Sequence, residues 1–221
     1  MGIRTLLSWS SGKDSAWTLH TLRQEGRYEV VGLLTTINAA FDRVAMHGTR
    51  SSILRAQAAA AGLPLTEVPL PWPCSNEHYE AAMRDACAAA VHDGIEVMAF
   101  GDLYLEDVRR YREERLAGTG ITPVFPLWGR ETRALVHEML DGESRARITC
   151  VDPRKLPRSF AGRELDRSLL AELPPGTDPC AENGEFHTCA YAGPIFAQPI
   201  SLVPGVVEQH GDLVFADFTL E

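Results

Sequence analysis

The chain has 221 residues, enough for one generous domain or a domain with an appendage. Its hydrophobic content of 45% is that of a globular protein, and no run approaches the roughly 20 apolar residues that span a bilayer. With 21 basic and 30 acidic residues the net charge is −9, a poor surface for a polyanion such as tRNA, so neither a membrane nor a nucleic acid is expected as a partner.

The N-terminus lacks the charged-then-apolar pattern of a signal peptide, because Ser8 to Asp14 interrupts it, and a cytoplasmic location is expected. Cysteines stand at 74, 87, 150, 180 and 189. The number is odd and no pair has Cys-x-x-Cys spacing, so neither a disulfide framework nor a zinc site is indicated.

The first element is a short apolar strand, Ile3 to Leu7, followed by helical spacing from Ala16 to Leu22. Strands are predicted at Glu29 to Thr36, Leu65 to Pro69, Glu96 to Phe100 and Thr122 to Phe125. Helices are predicted at Arg50 to Ala61, closed by Gly62, and at Asn76 to His92, with Asn76 as N-cap and Gly94 as stop. Two more are predicted at Leu103 to Ala117 and Glu131 to Leu140. This alternation predicts an α/β fold with a parallel sheet covered on both faces.

After residue 141 the texture changes. A strand is predicted at Arg147 to Val151, an irregular stretch to Gly162 and a short helix at Arg163 to Leu173. Two strands, Ile195 to Glu208 and Asp212 to Phe218, follow around His210-Gly211. Residues 1–141 are therefore read as a nucleotide-binding domain, and 142–221 as a smaller C-terminal α+β part that holds the substrate.

The loop Ser8-Trp9-Ser10-Ser11-Gly12-Lys13-Asp14-Ser15 joins the first strand to the first helix. Unpaired N–H groups and the positive end of the helix dipole converge there, and that favours a phosphate. Gly12 permits close approach, the hydroxyls of Ser10, Ser11 and Ser15 can donate, and Lys13 adds charge. Two further loops, Thr35 to His47 and Gly101 to Asp107, follow other strand ends and are expected to meet it in one crevice. In the first of these, Met46 and His47 are candidate nucleotide contacts.

In the second, Asp102 directly follows its strand and could offer an oxygen to magnesium or a ribose. Helical spacing would let Asp102 meet Glu106 and Glu106 meet Arg109, although acids such as Glu106 and Asp107 also suit a helix's first turn for dipole reasons alone. A polar loop, Asp178 to Thr188, carries Glu182, Asn183, Gly184, Glu185, His187 and Thr188, bracketed by Cys180 and Phe186. His187 or Glu185 could act there as a general base, the carboxylate if burial raises its pKa.

These motifs resemble those of the diphthine–ammonia ligase group of the N-type ATP pyrophosphatases. The matching strings are Ser10 to Ser15, Met46-His47-Gly48, Gln57-Ala58 with Gly62 to Leu65, Gly101-Asp102, Glu106-Asp107-Val108-Arg109, Phe125 to Gly129, Gly162 to Asp166, Glu182 to Thr188 and Gly193 to Phe196. Two departures stand out: Ser11 and Ala181 each occupy a position where the group usually has glycine.

The resemblance implies a Rossmann-like (HUP-type) sheet and an enzyme that uses ATP with Mg2+, the metal held through Asp14 or Asp102. It implies adenylation of a carboxylate, release of pyrophosphate and amidation by free ammonia. Asp14, Asp102, Glu182, Glu185 and His187 would be catalytic. Ser10 to Ser15, Met46, His47 and Gly101 would bind ATP, and Glu106, Asp107, Arg109, Asn183, Gly184 and Thr188 the acceptor. That acceptor would be diphthine on elongation factor 2 or a small carboxylate. A nucleotide-sensing module without turnover stays open beside this reading, as does a homo-oligomer.

Overall fold

The computed structural model describes residues 2–44 and 47–221, so the nucleotide contact expected at Met46 lies outside the described residues. In chain order the elements are β1 (Ile3–Ser8), α1 (Lys13–Glu25), β2 (Tyr28–Asn38), β3 (Arg43–Val44), α2 (Ser51–Ala61), β4 (Leu65–Leu70), α3 (Asn76–His92), β5 (Val97–Ala99), α4 (Glu106–Leu116) and β6 (Thr122–Val124). They are followed by α5 (Thr132–Asp141), β7 (Arg145–Val151), a single 3-10 turn at Arg158–Phe160, α6 (Arg167–Glu172), β8 (Phe186–Ala192), β9 (Leu202–His210) and β10 (Leu213–Leu220).

The first sheet has parallel strands in the order β4-β2-β1-β5-β6, and the end of β2 also takes β3 antiparallel through Ile37–Val44 and Asn38–Arg43. The chain winds one way from β1 to β4 and the other way from β5 to β6. The ends of β1 and β5 therefore flank a topological switch point, where such sheets hold ligands. Alternate residues face opposite sides of a strand. Leu7 and Leu33 accordingly pack with Leu19, Leu22, Leu54 and Ala58 of α1 and α2, whereas Leu6 and Leu34 pack with Cys87, Ala90 and Leu116 of α3 and α4. The predicted Rossmann-like architecture with helices on both faces is what the chain adopts.

The second sheet is antiparallel, in the order β8-β7-β10-β9. It packs onto the first layer in two places. Trp17 of α1 joins Leu135, Val136 and Met139 of α5 and Ile148, Val151 and Phe186 in one apolar cluster. Ile53 of α2 joins Cys189, Ala216 and Phe218 in another. A Cβ at Gly142 would come within 2.4 Å of the Trp17 ring, so the close approach of the two layers requires glycine there.

Several boundaries differ from the sequence reading. Ser75, not Asn76, caps α3, because the Ser75 hydroxyl accepts from the His78 N–H. Helix α4 begins at Glu106 rather than Leu103, since Leu103 is turned into the core. Helix α6 begins after Asp166, whose carboxylate accepts from the Leu169 N–H at 2.7 Å. No strand starts at Ile195; β9 begins at Leu202. The stretch read as loop through Thr188 ends as a strand: Phe186, Thr188, Cys189 and Ala190 are buried, and β8 pairs with β7. No helix among the described residues is long and apolar enough to cross a membrane.

Candidate nucleotide and acceptor site

The loop between β1 and α1 is held mainly by elements distant in sequence. Ser11 has φ +70°, the left-handed region that favours glycine. Its carbonyl accepts from the Ala190 N–H of β8 at 2.9 Å and from Gln57 Nε2 of α2 at 3.0 Å, and its hydroxyl donates to Thr49 Oγ1 at 2.8 Å. Gln57 is fully buried; it also donates to the Ala190 carbonyl at 2.6 Å and accepts from Trp9 Nε1 at 3.0 Å. Gln57 stands in a matching string but is expected to play no part in the site, and Thr49 is not among the residues the motif reading picks out. Their signal is weak: one amide in an alanine-rich apolar helix, and one threonine in a loop.

Gly12 caps α1 with extended backbone. A Cβ there would lie 3.2 Å from His47 Cε1, 3.3 Å from the Thr188 carbonyl and 3.4 Å from Ser10 Oγ. The Lys13 N–H donates to Thr188 Oγ1 at 3.1 Å, so Thr188, expected at the acceptor, serves helix α1. The hydroxyls of Ser10 and Ser15 lie 3.2 Å apart. Among the described residues nothing accepts from the N–H groups of Asp14 and Ser15. Two free donors thus stand at the positive end of a thirteen-residue helix, an arrangement that favours an anion. Gly101 lies against this turn: a Cβ would come within 3.1 Å of the Asp14 carbonyl carbon and of Thr18 Oγ1. Packing of β5's end on α1 therefore explains Gly101 without a nucleotide contact.

Lys13 is buried and turned inward. Its ammonium pairs with Asp14 Oδ2 at 2.7 Å, donates to the Cys180 carbonyl and lies 5.9 Å from the Phe186 ring centroid. Burial disfavours its charge, but Asp14 and other nearby anions outweigh this and hold its pKa above the ordinary lysine value. Burial pushes the Asp14 carboxyl above its usual range despite Lys13. Asp14 Oδ1 is buried with no hydrogen-bond partner.

Glu182 Oε1 accepts from the Leu103 N–H at 2.7 Å, while its second oxygen has no hydrogen-bond partner among the described residues and the side chain is only partly buried. Burial lifts the Glu182 pKa to about 7; Leu103 and Lys13 oppose the shift, and Asp14 and Asp102 add to it. Glu185 is enclosed: Oε1 accepts from the Asp178 N–H at 3.2 Å and from Asn183 Nδ2 at 3.3 Å, and Oε2 is buried without a partner. Of the two residues expected as general base, the structure encloses Glu185 and leaves His187 partly buried. Glu185 has no face toward the crevice, and burial beside Lys13 lowers His187 to about 4.

The His187 ring packs at 4.5 Å from that of His47, whose pKa burial and His187 lower to about 3. His47 thus does reach the loop, with Nδ1 3.5 Å from the Thr188 carbonyl. Asp178 was quoted in the motif but given no role; its carboxylate accepts from the N–H groups of Cys180 and Glu182 and so shapes the turn. Ala181 follows with φ +60°, so its side chain is accommodated in the glycine conformation rather than shifting the loop. Asn183 is exposed, and Gly184 has open space where a Cβ would stand.

The third loop contributes less than its spacing suggested. Asp102 pairs with Arg112 at 3.1 Å rather than with Glu106, because it precedes α4 instead of lying on it. Arg109 pairs with Glu113 at 2.8 Å and stacks on Phe125 and Trp128, away from Glu106. Glu106 and Asp107 are exposed in the first turn of α4, where the dipole favours acids. These three are not brought into the cluster formed by residues 10–15, 47 and 182–188. A cavity of about 460 Å³ between α3 and α4 is likewise lined by none of that cluster's residues, although Arg112, the partner of Asp102, lines it.

The donor set suits magnesium carried by a polyphosphate. No described group of three His, Cys, Asp or Glu side chains could hold a metal alone, yet Asp14 Oδ1 is an orphaned buried acceptor. Magnesium in such sites takes one or two carboxylates and completes its shell with phosphate and water.

A doubly wound sheet with this Ser-Ser-Gly-Lys-Asp-Ser turn at its switch point defines a nucleotide-binding protein of the PP-loop class. The chain belongs to the diphthamide synthase family: it matches the model described as diphthamide synthase N-terminal domain over residues 3–121, and the one described as diphthamide synthase C-terminal domain over residues 131–217. Membership makes it an ATP-utilising protein. No curated protein matches it. Among solved structures it is similar to a predicted subunit of tRNA methyltransferase from Methanocaldococcus jannaschii, with 14% identity over 66% of this chain and 78% of that one and a TM-score of 0.39.

Proposed function

We propose that the protein is an ATP-dependent amide ligase. A substrate carboxylate attacks the α-phosphorus of ATP and expels pyrophosphate, and ammonia then attacks the acyl-adenylate to give an amide and AMP. In this reading the acceptor is the diphthine carboxylate of elongation factor 2, with a small-molecule carboxylate as the alternative.

The observation that carries the proposal is the nearness of two kinds of group, Glu182 standing close enough to Lys13 and Asp14 of the loop to feel their charges. The free N–H donors of Asp14 and Ser15 suit a triphosphate, and the second oxygen of Glu182 suits an incoming acceptor or amine. Binding both reactants side by side converts a bimolecular encounter into a local one. Ser10, Ser11, Gly12 and Ser15 surround the phosphates, and the α1 dipole stabilises charge that builds on the departing pyrophosphate. His47 lies against the loop as a neutral ring. Asn183 and Gly184 stand at the exposed mouth, where the acceptor enters. Magnesium, held by Asp14 with phosphate oxygens, supplies charge neutralisation when bound.

A thiolation chemistry is disfavoured by the cysteines: Cys180 and Cys189 are buried, and burial pushes both thiols up to about 12. The test is product analysis with ATP, magnesium, ammonium and diphthine-bearing elongation factor 2. AMP and pyrophosphate are expected in equal amounts with the amide. ADP with orthophosphate, or nucleotide binding with no AMP, would overturn the proposal.

A further inference from the structure

Ammonia at neutral pH is almost wholly ammonium, which has no lone pair to attack with. A ligase that uses free ammonia therefore needs a proton acceptor beside the acyl-adenylate. Resting on the ligase reading above, we propose that Glu182 is the catalytic residue that takes this proton.

The geometry selects it from the ionisable groups in the crevice. Asp14 is engaged by the Lys13 ammonium at 2.7 Å, and Asp102 by Arg112 at 3.1 Å. Glu185 is walled in, with one oxygen accepting from Asp178 and Asn183 and the other shut away from solvent. The two histidine rings pack on each other near Lys13, an arrangement that disfavours a proton on either ring. Glu182 differs from all of these. The Leu103 N–H holds Oε1 at 2.7 Å, the side chain is only partly buried, and among the described residues no group is hydrogen-bonded to its other oxygen.

The groups facing Glu182 are Lys13 and Asp14 from α1, and Leu103 and Asp102 from the loop after β5. Their balance, dominated by burial, holds Glu182 near 7, where a base is ionised and still has proton affinity. The step balances. Glu182 carboxylate and ammonium become the carboxylic acid and ammonia. The nitrogen lone pair forms the C–N bond, the acyl C–O bond to phosphate breaks, AMP leaves with that electron pair, and the nitrogen's surplus proton passes to solvent.

Hydroxylamine provides the discriminating probe, because it is largely unprotonated at pH 7 and needs no such base. The wild-type protein and Glu182→Gln would be compared, with diphthine-bearing elongation factor 2 as acceptor, in ammonium and in hydroxylamine. The ratio of amide to hydroxamate formation is expected to fall by on the order of 100-fold in the variant. An unchanged ratio overturns the assignment.

The wild-type pH profile is a second test that needs no variant. At fixed total ammonium the amide rate should rise through about pH 7, where Glu182 is half ionised, and level about one pH unit higher as ionisation completes. A continued tenfold rise per pH unit up to pH 9 would mean that free ammonia attacks unaided, and overturns the proposal. Failure of the wild type to release AMP with either amine is a different result: it overturns the ligase reading itself, and the assignment with it.

Discussion

Replacing Gln57 with leucine should cost about 2–5 kcal/mol of stability and loosen the phosphate loop. The figure follows from what the side chain leaves behind. Leucine is close in volume, so the cavity contribution is small. The Trp9 indole N–H and the Ala190 carbonyl, however, lose the partners they have at 3.0 and 2.6 Å in a fully buried setting. A stranded buried polar group costs about 1–3 kcal/mol. Ser11 keeps its bond from the Ala190 N–H but loses the second, which helps hold its positive φ.

Against a total stability of about 5–15 kcal/mol this is a large share, and at this chain length it lowers the melting temperature by on the order of 10 °C. Urea unfolding followed by tryptophan fluorescence measures it, and titration with MgATP should show weaker binding. Gln57→Glu is the companion variant: it keeps an acceptor for Trp9 but sets an anion against two carbonyls, and should lose at least as much. A leucine variant within about 1 kcal/mol of wild type would refute the account of how the loop is braced.

Gly12→Ala should leave stability within about 1 kcal/mol, since φ is −82°, yet weaken ATP binding about tenfold, because His47, Thr188 and Ser10 must each move to admit the methyl group; an unchanged Kd by calorimetry counts against the cradle. Ser11→Gly and Ala181→Gly should each be neutral or up to about 1 kcal/mol stabilising, relief of left-handed strain being partly offset by the flexibility glycine adds to the unfolded chain, whereas Ala181→Val should cost about 2 kcal/mol or more by urea unfolding. His47 and His187 are lowered to about 3 and about 4, so the unfolded chain binds more protons than the folded one below the ordinary histidine pKa. Stability from this pair is present above pH 6.5 and drains away as pH falls toward 4; a His47→Asn, His187→Asn double variant should flatten that slope, and an identical slope removes the pair as its cause.

The parallel sheet and the turn that opens α1 were legible because each rests on a local signal, whereas the strand order was not. Alternating apolar strands and capped helices announce a parallel fold, and Gly12 between Ser11 and Lys13 announces a strand-to-helix turn. Other features rest on partners far away in sequence. Asp102, Glu106 and Arg109 have helical spacing, but Leu103 is taken by the core and α4 starts only at Glu106, so the carboxylate finds Arg112 instead. The spacing was correct for a helix and wrong for where that helix begins. Glu182 and Glu185 are indistinguishable in sequence. Which one is open depends on Asp178, which folds the turn so that Glu185 points inward and Glu182 meets the Leu103 N–H.

The misread strand β8 has the widest consequence. Its first residues continue a polar turn, Glu182 to Glu185, that suggests a solvated loop, yet Thr188 and Ala190 bond the N-terminal loop at Lys13 and Ser11, while His187 packs on His47. The phosphate cradle is thus completed by the second sheet. The Ser11 conformation, costly for a non-glycine residue, is stabilised by bonds that exist only once β8 has docked. This arrangement ties nucleotide grip to the placement of Glu182, because the segment that carries the glutamate runs directly into the strand that braces the loop. A perturbation of β8 should therefore weaken ATP binding and acyl transfer together, whereas a change confined to Glu182 Oε2 should act on transfer alone.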